Sequence, residues 1–180
     1  IVTTDRISAF DYILPTLIPY KGVLLNQISN FWFEYLKDIM PNHLIETEFS
    51  NFPKFFKKYK NVLEKRSVIV KRAKIYPIEC VVRGYITGSA WDEYSATKKV
   101  SDLKLPPDLL LSSKLPEPIF TPTTKEVEGH DISITIKKAK SIFGSELIDH
   151  LQKKSIELYV KASEYALKKG IIIADTKFEF

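Results

Sequence analysis

The sequence predicts an α+β protein. Two long segments carry apolar residues at helical spacing, several short runs are rich in Val and Ile, and no regular β-α-β rhythm joins them. Residues 1–3 read as a strand end, followed by the loop Thr4-Asp5-Arg6-Ile7-Ser8-Ala9-Phe10-Asp11. The spacing of Leu25, Ile28, Trp32, Tyr35, Leu36 and Ile39 predicts a helix over 25–40 with one wide buried face. Pro41 cannot continue a helix and marks its stop. A short strand is expected within 42–50. Residues 51–66, basic and aromatic, read as a surface segment.

Two β-type stretches follow at 67–70 and 76–83, separated by Lys71-Arg72-Ala73-Lys74. A short helix is expected over 88–95. Five prolines between 101 and 124 (Pro106, Pro107, Pro116, Pro118, Pro122) predict an extended, ordered loop. A second helix is expected over 145–169, with Leu147, Leu151, Leu158, Ala162, Tyr165 and Ala166 on one face. Ser145 is its expected N-cap and Gly170 its stop. Ile171-Ile172-Ile173-Ala174 then reads as a buried strand.

Composition narrows the function classes. With 180 residues and 44% apolar side chains, the chain can build a packed interior. It has no run of about 18 apolar residues, so no membrane span is expected. The first residues lack a secretory layout. The one cysteine, Cys80, excludes an internal disulfide framework and a multi-cysteine zinc site, and is expected to be a buried, inert thiol. The net charge of +5 arises from scattered lysine pairs, so charge alone does not choose among nucleic acid, anionic lipid and phosphorylated metabolites. Met40 is the only methionine and Ile1 the first residue, so an excerpt cut at both ends, or a chain whose ends were not observed, is expected.

Four patterns carry chemistry. In Ala174-Asp175-Thr176-Lys177-Phe178-Glu179-Phe180, the strand period of two places Asp175, Lys177 and Glu179 on one face and the phenylalanines on the other. Such a row of carboxylate, ammonium and carboxylate suits magnesium and phosphate, and equally suits a salt-bridged surface. In Val81-Val82-Arg83-Gly84-Tyr85-Ile86-Thr87-Gly88-Ser89, a strand runs into two glycines and a helix start. This is an anion cradle with Arg83 as a donor fork, or a glycine turn with a structural arginine. Pro116 to Lys125, continuing to Gly129-His130-Asp131, sets polar groups on a proline-stiffened frame; a His-Asp pair also serves as a cap or turn. The loop from Thr4 to Asp11, with Lys21-Gly22 beyond it, suits ribose and phosphate, or an Asx-turn.

Taken together, the strings TTDRISAFD, IPYKGVLLNQIS with FWF, VVRGYITGSAWDEY, PEPIFTPTTK with GHD, and IIIADTKFEF resemble the SAICAR synthetase family, in the family's order and over nearly the whole chain. The resemblance implies a two-lobed fold. A small β-rich lobe (1–74) would be related to the protein-kinase small lobe, and a larger α+β lobe (75–180) to the ATP-grasp domain, with ATP between them. It also implies a cytoplasmic ligase of purine biosynthesis. That ligase joins L-aspartate to a carboxylated aminoimidazole ribonucleotide (CAIR) through an acyl phosphate, using ATP and Mg²⁺. It implies small-molecule partners, with no nucleic acid and no membrane, and leaves the oligomeric state open.

Carried over by matching strings, Asp11, Lys21, Arg83 and Ser89 resemble binders of the imidazole nucleotide. Lys125, His130 and Asp131 resemble the loop beside the reacting groups. Lys71, Arg72 and Ala73 resemble the segment that meets adenine, Glu79 is expected to face the phosphates, and Lys177 to serve both ATP and catalysis. Glu179, with Asp175 beside it, resembles the metal position. The family's glycine-containing ATP loop and its later aspartate-rich strand have no match here. The residues alone also admit a small-molecule kinase, another carboxylate ligase, or an RNA-binding protein.

Overall fold

Residues 1–125 and 132–180 are described by a computed structural model, in which the chain divides into two compact units, Ile1–Lys74 and Ile75–Phe180. In the first unit β1 (Ser8–Ala9) and β2 (Tyr12–Ile13) form an antiparallel hairpin. Its two-residue turn, Phe10-Asp11, has φ of 51° and 64°. Both are left-handed values that non-glycine residues rarely adopt. Helix α1 (Lys21–Leu36) follows, then β3 (Leu44–Glu46). Two 3-10 turns (Phe49–Asn51 and Lys54–Tyr59) and the short α2 (Lys60–Leu63) precede β4 (Ile69–Val70), which pairs antiparallel with β3.

The first unit departs from expectation in two ways. It is not β-rich: its named strands have two or three residues each, whereas α1 has 16. Nor does α1 bury a wide apolar face. Its buried residues are Gly22 and Asn26, and Leu24, Leu25, Ile28 and Phe31 are exposed. The helix is seated by polar and close-approach contacts. Asp5 Oδ1 accepts from the Gly22 N–H at 2.8 Å, and a Cβ at Gly22 would stand 2.3 Å from the Thr3 carbonyl oxygen. Asn26 Nδ2 donates to Lys65 O at 3.1 Å. The helix also starts four residues earlier and stops earlier than the apolar spacing implied, ending before Pro41 is reached.

The second unit is built around β5 (Ile78–Tyr85). Next come α3 (Gly88–Thr97), the hairpin β6 (Lys99–Val100) and β7 (Leu103–Lys104), β8 (Lys114–Phe120) and β9 (Thr123–Thr124). Helices α4 (Ile136–Phe143) and α5 (Ser145–Leu167) lead to β10 (Asp175–Phe178). The sheet order is β10-β5-β8, all antiparallel, with β9 pairing the start of β5. Alternation along β5 sends Ile78, Cys80 and Val82 to one face, where they pack with Phe120, Ala139, Ile148, Leu151 and Tyr159. Phe178 and Phe180 join this core. A second core gathers Ile86, Ala90, Tyr94, Val100, Leu105 and Leu115. Each Val, Leu, Ile or Phe among them contributes about 1.5–3 kcal/mol when fully buried.

The proline-rich stretch is not one long loop. Residues 114–120 form β8 despite Pro116 and Pro118. An edge strand has one side with no ladder bonds to lose, so it tolerates residues without an N–H. The stretch before it is tied to α3, because the Tyr94 hydroxyl donates to Pro106 O and accepts from the Leu109 N–H. Ile171 and Ile172 are not a buried strand; they are 59% and 60% exposed, and regular pairing begins at Asp175. Gly144 occupies the N-cap position of α5, in place of the expected Ser145. The buried stripe of α5 runs through Ile148, Leu151, Ser155, Leu158, Tyr159 and Ala166. Gly170 ends that region at φ 77°, with its N–H donating to Leu167 O.

Candidate active site

The face of the sheet opposite the core carries the charged residues. In antiparallel pairing, directly opposed residues share a face. Arg83 opposes Asp175, Val81 opposes Lys177 and Glu79 opposes Thr123. Glu79, Arg83, Asp175, Lys177 and Thr123 therefore stand on one side, with Glu179 continuing the alternation beyond β10.

Arg83 is the best-held of these groups, with a side chain only 13% exposed. Its Nε donates to Thr121 Oγ1 at 3.1 Å, one terminal nitrogen to Asp175 Oδ2 at 3.3 Å, and the other to Ser89 Oγ at 3.4 Å. Burial pulls its pKa below the ordinary arginine value, and Asp175 and Glu93 oppose that shift. Ser89 lies in the first turn of α3, whose N-cap residue Thr87 makes no side-chain cap. The helix start therefore presents a partial positive charge beside the guanidinium.

Further along the face, Glu79 Oε2 accepts from Lys177 Nζ at 2.9 Å and from Thr123 Oγ1 at 3.3 Å. Lys125 Nζ pairs with Glu179. Three cation–carboxylate pairs thus follow one another along roughly 13 Å of strand, four residues at about 3.3 Å each. Asp175 and Glu179 are 45% and 44% exposed, so solvent reaches this face. Among the described residues, no group of three or more His, Cys, Asp or Glu is gathered where it could hold a metal ion by itself.

Gly84 is not part of an anion-binding loop. It lies inside β5, and a Cβ there would stand 1.9 Å from the Tyr159 hydroxyl oxygen. Only a residue without a side chain admits that tyrosine. Gly88, at φ 53°, does stand at the helix start, where a left-handed turn is needed. Cys80 is fully buried, and burial pushes its thiol up to about 11.

The remaining sequence candidates are placed separately. Asp11 is exposed at the tip of the β1–β2 turn. Lys21 opens α1 and donates to Arg6 O at 3.2 Å. Lys71, Arg72 and Ala73 are exposed in irregular backbone after β4, and the Lys71 N–H donates to His43 O at 2.8 Å. These belong to the first unit. His130 and Asp131 lie outside the described residues. Thr121 and Thr123 were not among the sequence candidates. The alternation Thr121-Thr123-Lys125 across Pro122 is the signal that points to them.

The fold and this charged sheet face define an α+β protein with a polar, solvent-reached site of alternating cations and carboxylates beside a helix start. The sequence model of the SAICAR synthetase family matches residues 1–180, and the chain belongs to that family. It is 52% identical over 180 residues to the phosphoribosylaminoimidazole-succinocarboxamide synthase of Thermodesulfovibrio yellowstonii, covering 100% of this chain and 62% of that protein. The structure is similar to a Saccharomyces cerevisiae SAICAR synthase solved with SAICAR (TM-score 0.89, 46% identity, 99% of this chain and 60% of that one). It is also similar to a type-2 SAICAR synthetase solved with ADP (TM-score 0.76, 26% identity, 99% and 66%). The chain thus spans about three fifths of the length of the curated relatives it matches. Among the described residues no helix is long and apolar enough to cross a membrane.

Proposed function

We propose that this chain contributes the nucleotide-handling site of an ATP-dependent ligase that joins L-aspartate to the carboxylate of an aminoimidazole ribonucleotide. The observation that carries the reading is the run of ion pairs along one sheet face, Arg83–Asp175, Lys177–Glu79 and Lys125–Glu179, with Ser89 of α3 meeting the Arg83 guanidinium, in a chain of this family. A carboxylate is a poor electrophile. Transfer of the ATP γ-phosphoryl group to one of its oxygens gives an acyl phosphate and ADP. The aspartate amine then attacks the acyl carbon and phosphate departs, giving SAICAR. Each step moves negative charge among phosphate and carboxylate oxygens, so the protein's work is positioning and charge neutralisation.

Arg83 and Ser89, with the start of α3, form the anion seat for the imidazole nucleotide, and Asp11 and Lys21 of the first unit serve the same substrate. Lys177 holds ATP phosphate, with Glu79 orienting its ammonium group. Lys71, Arg72 and Ala73 meet adenine. Lys125 lies toward the reacting groups, with His130 and Asp131 assigned to the same loop. Magnesium takes one or two carboxylates and completes its shell with phosphate oxygens and water. Glu179 and Asp175 stand at opposite ends of this face, so each fits such an ion only as a single carboxylate ligand, with Glu179 the one assigned to it and Asp175 beside the Arg83 fork. Bound there, the ion would neutralise phosphate charge. The first unit is read as related to the protein-kinase small lobe and the second to the ATP-grasp domain, in a cytoplasmic enzyme with small-molecule partners.

The deciding experiment measures ADP release by the intact parent protein, omitting L-aspartate or the imidazole nucleotide in turn. Sustained release is expected only with all three substrates. Sustained ADP release without aspartate would show a kinase or phosphatase cycle instead and overturn the reading.

A further inference from the structure

The start of β10 is held by a device that the charged face does not explain. Residues 171 and 172 are exposed, yet Asp175 is registered opposite Arg83. Three hydrogen bonds anchor the chain just before that point. The Gly84 and Tyr85 N–H groups both donate to Ala174 O, at 3.0 and 3.2 Å. The Tyr159 hydroxyl donates to Ile173 O at 2.7 Å. Tyr159 comes from α5 on the core side of the sheet, is 4% exposed, and reaches Ile173 through the space left open by the missing side chain of Gly84. A buried phenol with its hydroxyl satisfied by one carbonyl is directional, because neither ring nor acceptor can shift without losing packing or the bond.

We infer that Tyr159 is a positioning residue: through Ile173 it fixes where β10 begins and thereby sets Asp175 against the Arg83 guanidinium. It touches no substrate. Its effect passes through Asp175, which holds one end of the Arg83 fork while Thr121 and Ser89 hold the others. Loss of the phenolic oxygen leaves the ring in the core and frees Ile173 O, so the strand start loosens while the fold persists. The consequence for catalysis rests on the reading of Arg83 as a nucleotide binder, whereas the consequence for the strand does not.

The test is Tyr159→Phe in the intact parent protein, read by amide hydrogen exchange and by steady-state kinetics. Faster exchange is expected at Gly84 and Tyr85. Exchange at Thr121, whose N–H donates to Val81 O on the β8 side, should stay unchanged. The KM for the imidazole nucleotide should rise about three- to tenfold, the loss of one buried hydrogen bond, with kcat and the KM for ATP retained. Unchanged exchange at Gly84 and Tyr85 in Tyr159→Phe, or equal acceleration at Thr121, would overturn the inference. Local acceleration with no selective change in KM would support the positioning role of Tyr159 and refute the assignment of Arg83.

Discussion

Replacing Arg83 separates binding from folding. In Arg83→Ala, three donations from one guanidinium are lost: to Thr121, Asp175 and Ser89. Hydrogen bonds to charged groups contribute about 1.5–3 kcal/mol when buried. Asp175 is 45% exposed, so water replaces its partner and salt already screens the pair. Thr121 is 3% exposed and keeps a hydroxyl with no guanidinium to accept from. The net cost to stability is therefore roughly 1–2 kcal/mol, well below the sum of three bonds. The loss in binding an anionic substrate is larger, because alanine offers nothing in place of the planar guanidinium fork. About 2–3 kcal/mol corresponds to a rise of about 30- to 150-fold in the KM for the imidazole nucleotide. Arg83→Lys keeps the charge but cannot reach three partners in a plane, so it should recover stability more than affinity. Initial rates are measured with one substrate varied and the others saturating, alongside denaturant midpoints. Equal increases in the KM values for ATP and for the imidazole nucleotide would refute the assignment.

Three further outcomes are expected. Glu179→Gln removes a carboxylate and the partner of Lys125, so the magnesium concentration for half-maximal turnover should rise about tenfold or more, the loss of one charged ligand contact; unchanged activity at limiting magnesium would take Glu179 out of the site. Cys80 should resist thiol reagents in the folded protein. Its pKa is raised from 9.0 to about 11, so the folded state keeps a proton that the unfolded chain releases. The stability this group adds is complete below about pH 9 and falls by about 1.4 kcal/mol per pH unit until about 11, measurable as a denaturant midpoint that Cys80→Ala no longer shifts in that window. Asp5 is held below its usual range by the Gly22 N–H and by Arg66. Its contribution is present above the ordinary aspartate pKa and lost as pH falls through the lowered value. Asp5→Asn should therefore flatten the acid limb of the unfolding curve and loosen the start of α1, seen as faster exchange at Gly22.

Several elements were legible because a single period governs them. Alternation in 174–180 separated the charged residues from Phe178 and Phe180, and the structure puts those phenylalanines against the core. Long apolar repeats marked α1 and α5, and the apolar neighbours of Cys80 marked a buried thiol. Other elements obey no local rule. The strand β8 contains two prolines and exists because it is an edge. The short α4 does carry a helical repeat, Ile136, Ala139 and Phe143 with Thr135 as its N-cap, but over only eight residues. Leu24, Leu25 and Ile28 on α1, and Ile171 and Ile172, are exposed within these 180 residues, so their apolar character marked the segments without saying what covers them.

By itself the sequence determined which chemical groups this protein has and which of them share a strand face, because side-chain alternation is a property of one strand. Which cation meets which carboxylate was a tertiary decision. Arg83 and Asp175 are 92 residues apart, Glu79 and Lys177 98, and Lys125 and Glu179 54. Their meeting follows from the antiparallel register of β5 with β10 and β9, and register depends on packing against α5 that no local pattern encodes.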